Sequence, residues 1–306
     1  MESSDARPKT SVNHRNRATP VQNRAAGPSA AILLTTAPQT NTIIVIVYNQ
    51  RKVFKISQLL NQAAIVTGVS HHKGIGAAIC RKLASEGVNI FFTYWQADPN
   101  WPVQFQKELV ALGVQSKYLE IDLSDPDSPM KILDAAESQL GQPTILINNA
   151  AHSLSDGYMN LDAKLLDDHY AVNMRATILL SVEFAKRFKK SDKVSGRIIN
   201  LTSGQAQGPM IGELAYVATK GAISAFTLSL SAELAPLGIT VNAVNPGPTD
   251  SGWMSEEIKQ ALLPRFLMGR IGVPDDAARL VAFLASSEAQ WITGQVINSE
   301  GGFLRR

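Results

Sequence analysis

Residues 63–84 read AAIVTGVSHHKGIGAAICRKLA, and this stretch decides the fold. Its first five residues form a short apolar run of the kind found in buried strands. A turn with glycines at positions 68, 74 and 76 follows, and an amphipathic stretch comes after the turn. Strand, glycine-bearing turn and helix, in this order, predict the first unit of a layered α/β protein.

The same alternation of short apolar runs and amphipathic stretches continues to the end of the chain. It predicts strands at 63–67, 88–93, 116–121, 144–148, 196–201, 239–245 and 295–298. It predicts helices near 75–86, 102–112, 128–140, 161–189, 213–235, 254–263 and 275–285. We therefore expect residues 61–306 to form one Rossmann-type, doubly wound domain, a parallel sheet with helices on both faces.

Composition excludes several classes of protein. Of 306 residues, 45% are hydrophobic and 18% are charged, which excludes global disorder. No apolar run reaches the roughly 18 residues of an ordinary transmembrane helix, so we expect no membrane partner. The single cysteine, Cys80, excludes an intrachain disulfide framework and a multi-cysteine zinc site, and we expect no metal.

Residues 1–60 differ from the rest in charge and texture. They hold eight basic and two acidic residues, whereas the rest holds 21 and 24, so the body lacks the basic excess that nucleic-acid binding needs. We expect 1–60 to be a disordered or non-core extension, with 1–40 disordered. Its Arg-rich character also fits an organelle transit peptide, although a solvated tail or an over-extended gene start is simpler. The β-branched run 43–47 is either an added strand or a sticky segment outside the fold.

The glycine-bearing turn predicts a dinucleotide site. Gly68 permits a tight turn, and Gly74 and Gly76 let backbone approach a pyrophosphate and let the helix pack on the strand. The N-terminus of the following helix offers free N–H groups and a partial positive charge. Glycine triplets alone are weak evidence, but the strand before this one and the helix after it favour a dinucleotide.

Tyr216 and Lys220 lie four residues apart on a predicted helix, so both side chains can reach one point. A tyrosine titrates near 10, too high for a base at neutral pH, and a neighbouring ammonium lowers that pKa. The alternative is a helix face with one core tyrosine and one surface lysine.

Other polar residues follow the predicted strands, where open α/β sheets bind ligands. Ser203 comes just after the strand at 196–201 and could bond a substrate oxygen or simply form a turn. Asn148-Asn149-Ala150-Ala151 ends the strand at 144–148, and Asn245-Pro-Gly-Pro-Thr-Asp-Ser follows the strand at 239–245. Asn173 lies within the long predicted helix, where the simpler interpretation is a polar residue that kinks the helix.

In order and spacing, these motifs resemble those of the short-chain dehydrogenases/reductases, from about Ala63 to Phe303. The resemblance implies an NAD(P)-dependent enzyme that interconverts a carbonyl and a secondary alcohol of a small molecule, with Tyr216 as acid and base. It implies that Ser203 orients the substrate oxygen, Lys220 binds the nicotinamide ribose and lowers the Tyr216 pKa, and Asn173 holds a relay water. The implied cofactor-binding set is Gly68, Ser70, Lys73, Gly74, Ile75, Gly76, Asp122, Leu123, Asn149, Ala150, Tyr216, Lys220, Pro246, Gly247, Thr249 and Ser251. Two departures are Ala151 in place of a glycine and two extra residues in the glycine turn.

NADP is the favoured cofactor, with NAD possible. NAD-preferring relatives place an acid at the end of the second strand, where this chain has Thr93. Lys73, with His71 and His72, could meet a 2′-phosphate from the lengthened turn. Residues 250–268 are apolar, which suggests either a hydrophobic or acyl substrate or packing against the body or another subunit.

Two other functions stay open. The five-residue turn also resembles that of enoyl reductases, although the three-residue gap between Tyr216 and Lys220 argues against them. A cofactor-sensing regulator without turnover would tend to lose Tyr216 or Lys220, and this chain has both. By resemblance we expect a cytoplasmic homo-oligomer, specifically a tetramer.

Overall fold

The computed structural model describes residues 31–36, 43–48 and 59–305. The chain divides into two units, residues 1–55 and 56–306, each described by itself. In the first, β1 (Ala31–Thr36) and β2 (Ile43–Tyr48) pair antiparallel, with Ala31 opposite Tyr48. The expectation of disorder over 1–40 is therefore wrong for 31–36, because this apolar segment pairs with the β-branched run 43–47. The rest of the predicted extension, residues 1–30, 37–42 and 49–58, lies outside the described residues.

A parallel sheet of seven strands forms the centre of the second unit, as predicted. In space its order is β5-β4-β3-β6-β7-β8-β9. The strands are β3 (Ala63–Val66), β4 (Asn89–Tyr94), β5 (Ser116–Glu120), β6 (Ile145–Asn148), β7 (Gly196–Leu201), β8 (Ile239–Asn245) and β9 (Val296–Asn298). Every residue of β3, β6, β7 and β8 is buried, polar residues such as Arg197 and Asn242 included, as expected of parallel strands covered on both faces.

Helices cover both faces of this sheet. The α-helices within residues 59–305 are α1 (Ile75–Ala84), α2 (Trp101–Ala111), α3 (Ser128–Leu140), α4 (Ala163–His169), α5 (Thr177–Lys190), α6 (Leu214–Leu234), α7 (Glu256–Leu262) and α8 (Pro274–Ala285). One core contains Cys80 of α1, Phe105 of α2 and Val281 of α8. The other contains Ile132 of α3, Phe184 of α5 and Leu230 of α6. The predicted doubly wound α/β architecture is confirmed.

The helix predicted over 161–189 is not continuous. Asp162 caps α4 by accepting a hydrogen bond from the Leu165 N–H at 2.8 Å. Residues Tyr170–Ala176 then form a π-helical segment before α5 begins. Asn173 lies at the centre of that segment, and such interruptions occur frequently at functional sites.

The strand order reverses between β3 and β6. The chain adds β4 and β5 on one side of β3, then crosses to place β6 on the other side. A crevice opens at such a switch point, beyond the carboxyl ends of the strands, and ligands of open α/β sheets bind there. The turn after β3 and Asn149 after β6 border this crevice.

Candidate active site

The glycines of the turn after β3 are required by the close approach of the turn to the end of β6. Gly68 has a φ of +73°, and a Cβ there would lie 2.5 Å from the Cα of Ala150. A Cβ on Gly76 would lie 2.6 Å from Nδ2 of Asn149. That amide donates to the carbonyl oxygens of Thr67 at 2.8 Å and Gly68 at 3.1 Å. Asn149 thus fastens the turn to β6 through its side chain.

Hydrogen bonds to neighbouring elements hold the lengthened turn. The Val69 N–H donates to the Thr93 carbonyl at 2.8 Å, and Nε1 of Trp101 donates to the Val69 carbonyl at 2.9 Å. The Ser70 hydroxyl donates to the Trp95 carbonyl at 3.1 Å and accepts from the Trp95 N–H at 3.2 Å. Ser70 therefore orders the segment after β4 as well as its own turn.

A cleft of about 450 Å³ lies above the switch point. Gly74 begins α1 without a side-chain cap, so first-turn N–H groups are left for an anion. The glycine cradle, this helix terminus and the open crevice together fit a dinucleotide. Ten residues of the predicted cofactor set line the cleft: Gly68, Ser70, Gly74, Ile75, Gly76, Asp122, Leu123, Asn149, Ala150 and Ser251. The cleft is also lined by His71, Thr93, Tyr94, Trp95, Ile121, Ala151, His152 and Val172.

Lys73 lies outside this cleft, contrary to the expectation that it meets the cofactor. Its Cδ is 3.3 Å from where a Cβ on Gly252 would be, so the side chain packs against the loop after β8. There it lines a second cavity of about 400 Å³, together with Asp250 and Lys259. The lengthened turn directs Lys73 to this side. His71 lines the cofactor cleft instead, and burial, with a smaller contribution from His72, lowers its pKa.

The other members of the predicted cofactor set in the loop after β8 are Pro246, Gly247 and Thr249, of which Thr249 is hydrogen-bonded to the other two. Thr249 is buried, and its hydroxyl donates to the carbonyl oxygens of Pro246 at 3.1 Å and Gly247 at 3.2 Å. These residues do not line the cleft, whereas Ser251 does. Asp122, a member of the predicted cofactor-binding set, lines the cleft and uses Oδ1 to accept from the Ser124 N–H at 2.8 Å.

Tyr216 and Lys220 lie one turn apart on α6, as predicted. The ammonium of Lys220 is 5.7 Å from the centre of the Tyr216 ring and donates to the Leu201 carbonyl at 2.7 Å. Ser203, which follows β7, is close enough to the Tyr216 phenol to affect its pKa through hydrogen bonding, and its hydroxyl donates to Sδ of Met210 at 3.7 Å. Ser203, Tyr216 and Lys220 therefore converge at the carboxyl edge of the sheet.

The acid–base balance of this group differs from the expectation. Burial, and secondarily the Glu213 carboxylate, raises the pKa of Tyr216 to about 12, although the Ser203 hydrogen bond opposes the shift. Burial lowers the pKa of Lys220 to about 8. The predicted lowering of the Tyr216 pKa by Lys220 is thus wrong for the ligand-free chain. At neutral pH Tyr216 is a phenol, which can donate a proton.

Asn173 acts through its side chain on the backbone of the neighbouring loop. Its Oδ1 accepts from the His152 N–H at 2.7 Å, and its Nδ2 donates to the His152 carbonyl at 2.9 Å and to Oγ1 of Thr219 at 3.1 Å. Both amide hydrogens are used, and Oδ1 keeps a second lone pair that could accept from a relay water. The Asn173 side chain joins the loop after β6 to α6.

Sequence reasoning missed two histidines near the cleft. His152 lines the cleft, and its ring lies 4.7 Å from the ring of His169, centre to centre. Nε2 of His169 accepts from the Leu154 N–H at 3.2 Å, so Nδ1 carries the proton and donates to the Leu165 carbonyl at 2.8 Å. The detectable signal was the position of His152, directly after the Asn-Asn-Ala-Ala that ends β6.

The described part of the chain lacks two further kinds of feature. No group of three or more His, Cys, Asp or Glu side chains there could hold a metal ion. Nor does that part contain a helix that is both long and apolar enough to cross a bilayer.

Comparison with known proteins agrees with this geometry. A family model described as enoyl-(acyl carrier protein) reductase matches residues 68–304. The uncharacterised oxidoreductase YjdA of Bacillus subtilis is 64% identical over 250 residues, which is 82% of this chain and 100% of YjdA. The 3-oxoacyl-[acyl-carrier-protein] reductase FabG of Staphylococcus aureus is 34% identical over 250 residues, covering 79% of this chain and 98% of FabG.

A solved structure supports the same relationship. The short-chain dehydrogenase of Burkholderia cenocepacia in complex with NADP has a TM-score of 0.73 and 32% identity, over 80% of this chain and 98% of that one. The matched region holds the glycine turn, Ser203, Tyr216 and Lys220. The chain therefore belongs to the short-chain dehydrogenase/reductase family of NAD(P)-dependent oxidoreductases.

Proposed function

We propose that this chain reduces the carbonyl group of a small molecule to a secondary alcohol with NADPH. The observation that carries the proposal is that the partly buried Tyr216 lies close to Ser203 and Lys220, in a chain whose glycine cradle borders a cleft that fits a dinucleotide. A pKa of about 12 keeps the phenol protonated, which suits the reductive direction.

Each of the three side chains has a separate task. NADPH supplies the hydride when it is bound. Ser203 donates a hydrogen bond to the substrate oxygen, and Tyr216 transfers its phenolic proton to that oxygen as negative charge develops there. Lys220, as an ammonium, stabilises the phenolate that remains and binds the nicotinamide ribose. Asn173 keeps the loop after β6 against α6, so these groups stay in register.

NADPH is the expected cofactor because the end of β4 carries no acid. Thr93, Tyr94 and Trp95 border the cleft there, and a carboxylate in their place would repel a 2′-phosphate. The related Burkholderia structure contains NADP, and this supports the assignment. Asn149 and the first turn of α1 would hold the adjoining phosphates and ribose.

The substrate is expected to be apolar or acyl. Met254 and Phe266 of the 250–268 segment are buried and pack on the body, while Leu267 and Met268 remain exposed. The name of the Staphylococcus relative specifies a 3-oxoacyl substrate for that protein, and an acyl chain would suit exposed apolar side chains here. Ile211, before α6, adds to them.

The enoyl reductase alternative has two observations in its favour, the five-residue turn and the description of the matching family model. Against it, Lys220 follows Tyr216 by a single helical turn. The regulator alternative has no specific observation behind it, since the acid, the serine and the lysine are all present.

The test is a substrate panel followed at the absorbance of reduced nicotinamide. It contains 3-oxoacyl thioesters, aliphatic ketones and the matched 2-enoyl thioesters, each with NADPH and NADH. We expect ketone reduction that falls about 10²- to 10⁴-fold in Tyr216→Phe, because only the proton donor is removed. Tyr158→Phe, at an exposed tyrosine, is the matched control and should keep wild-type rates. Reduction of enoyl substrates alone would support the alternative, and no turnover with any compound would reject the proposal.

We also propose a cytoplasmic homotetramer. The single buried thiol is compatible with a reducing compartment. Leu179 of α5, Leu228 of α6 and Trp291 are exposed apolar side chains that a second copy could cover. Sedimentation velocity at micromolar concentration should give a tetramer, and a monomer alone would contradict this proposal.

A further inference from the structure

A buried ion pair lies behind the candidate catalytic serine. Nη2 of Arg305 is 2.7 Å from Oε2 of Glu300, and each side chain is only 10% exposed. The same Glu300 oxygen accepts from Nδ2 of Asn245 at 3.0 Å. Buried charges are rare unless they are paired, so this pair has a specific structural role.

The guanidinium occupies space that a side chain on the serine loop would need. Gly204 directly follows Ser203, and a Cβ built on Gly204 would overlap the Arg305 guanidinium. A Cβ on Gly208, at the other end of this loop, would lie 3.0 Å from Cβ of Arg305. Arg305 therefore packs along the backbone from Gly204 to Gly208, with the glycines as the residues that admit it.

Glu300 makes the corresponding contact with the loop after β8. A Cβ on Gly247 would overlap Cβ of Glu300. Nδ2 of Asn245 donates to Glu300 and also to Oε1 of Gln207 at 2.9 Å, which belongs to the serine loop. One network thus joins the loops after β7, β8 and β9, which carry Ser203, the Pro-Gly turn and Arg305.

The chain segment that carries Arg305 is itself fixed in place. Phe303 packs on Phe266 with ring centres 4.8 Å apart, and the Arg305 guanidinium lies 5.4 Å from the Phe303 ring centre. The Leu304 N–H donates to the Arg265 carbonyl at 2.8 Å, and Nε of Arg265 donates to the Leu304 carbonyl at 2.7 Å. The segment is held on both sides, so Arg305 can act as a fixed support.

We infer that Arg305 is a positioning residue for Ser203, acting through Gly204 and held by Glu300. This rests on the proposed function, in which Ser203 bonds the substrate oxygen. An error of about 1 Å in such a group costs up to about a hundredfold in rate, so a support directly behind its neighbour controls turnover. We expect NADPH binding to change little, because neither Arg305 nor Gly204 lines the cleft that fits the dinucleotide.

The experiment combines Arg305→Met with Ser203→Ala. Arg305→Met should lower kcat about ten- to a hundredfold, with the dissociation constant of NADPH, measured by calorimetry, unchanged. In the Ser203→Ala background the same substitution should have no further effect on kcat, because the supported hydroxyl is gone. Arg279→Met is the control: Arg279 lies on α8, is 67% exposed and pairs with Asp276 instead, and should leave kcat unchanged.

A second variant separates positioning from stability. Arg305→Met leaves Glu300 buried without its partner, so the melting temperature should fall, and Glu300→Gln added to it should restore that temperature by removing the unpaired charge. Turnover should stay low, because Gly204 still lacks its support. If Arg305→Met alone does not fold, the double variant carries the full test.

Three results would overturn the inference or its basis. Recovery of kcat together with the melting temperature, or a full additional loss in the Ser203→Ala background, would make Arg305 merely structural. If Ser203→Ala lowers kcat but Arg305→Met does not, the inference is overturned and the proposed function stands. Wild-type turnover that Ser203→Ala leaves unchanged would overturn the proposed function instead, since Ser203 would then not serve the substrate.

Discussion

Burial acts in opposite directions on the two ionisable side chains of α6 at the candidate site. Removing water disfavours the charged form of each group, so the Tyr216 pKa rises to about 12 and the Lys220 pKa falls to about 8. Tyr216 is thereby kept as a proton donor. Lys220 is close to its titration point at mildly alkaline pH, and its charge is the one that pH can change.

Reduction should therefore weaken as pH rises through about 8. Lys220 loses its proton there, and kcat/KM for NADPH, which reports the free enzyme, should fall tenfold per further pH unit. Stability should move the other way. Between about 8 and the reference value of 10.5 the unfolded chain binds more protons at this lysine, so its contribution to the free energy of unfolding grows with pH.

The two readouts separate this titration from alkaline denaturation, in which both would fall together. Rates and urea unfolding from pH 6 to 10 provide the measurement, at constant ionic strength. Lys220→Met should have low, pH-independent residual turnover. A wild-type rate that stays flat to pH 10 would show that the Lys220 charge is not required.

Preference for NADPH should not depend on Lys73. Its side chain packs on Gly252 and lines a different cavity from the cleft that fits the dinucleotide. Lys73→Ala should leave the ratio of kcat/KM values for NADPH and NADH within about twofold, well below the roughly tenfold loss of a charge-assisted phosphate contact. His71→Ala, within the cleft, is the paired variant. A large drop for Lys73→Ala would restore this lysine as the residue that recognises the phosphate.

At the scale of elements, the strands were the most predictable part of this chain. Parallel strands buried on both faces are short and rich in apolar residues, and the strands predicted at 196–201 and 239–245 have the same bounds in the structure as β7 and β8. The π-helical segment at 170–176 was not predictable, because its cause is tertiary: Asn173 bonds the backbone of His152, 21 residues away. The position of the Lys73 side chain was unpredictable for the same reason, since it packs against Gly252 in a loop distant in sequence.

Gly76→Ala should loosen the junction of β3, α1 and β6. The new Cβ would lie 2.6 Å from an Asn149 amide that is already bonded to Thr67 and Gly68 and cannot move freely. We expect a loss of about 1–3 kcal/mol in the free energy of unfolding. NADPH binding should weaken as well, since Gly76 and Asn149 both line the cleft.

Gly221→Ala is the matched control for that substitution. Gly221 also lies in a helix, α6, but an added Cβ there meets nothing within 4 Å. It should raise the free energy of unfolding by about 0.5–1 kcal/mol, because alanine loses less backbone entropy than glycine. Urea unfolding of both variants is the measurement. Equal effects of the two substitutions would show that the Asn149 contact is not the constraint.

At the scale of the whole molecule, residues 1–55 should be dispensable for turnover. They form a unit separate from residues 56–306, and the second unit contains every residue of the candidate site. YjdA is matched over its full length by 250 residues of this chain. A chain beginning at residue 56 should therefore keep the kcat, the dissociation constant of NADPH and the melting temperature of the full chain. A large loss in any of the three would show that the first unit supports the second.

The single thiol of Cys80 lies wholly inside the core beside β3, and burial raises its pKa further. A thiol-specific probe can therefore react only when α1 separates from the sheet, so the rate of labelling measures how often that separation occurs. Bound NADPH should slow that labelling in proportion to its occupancy. The labelling rate of Cys80 therefore reports ligand binding without any substrate, and it can rank candidate nucleotides before the reaction is known.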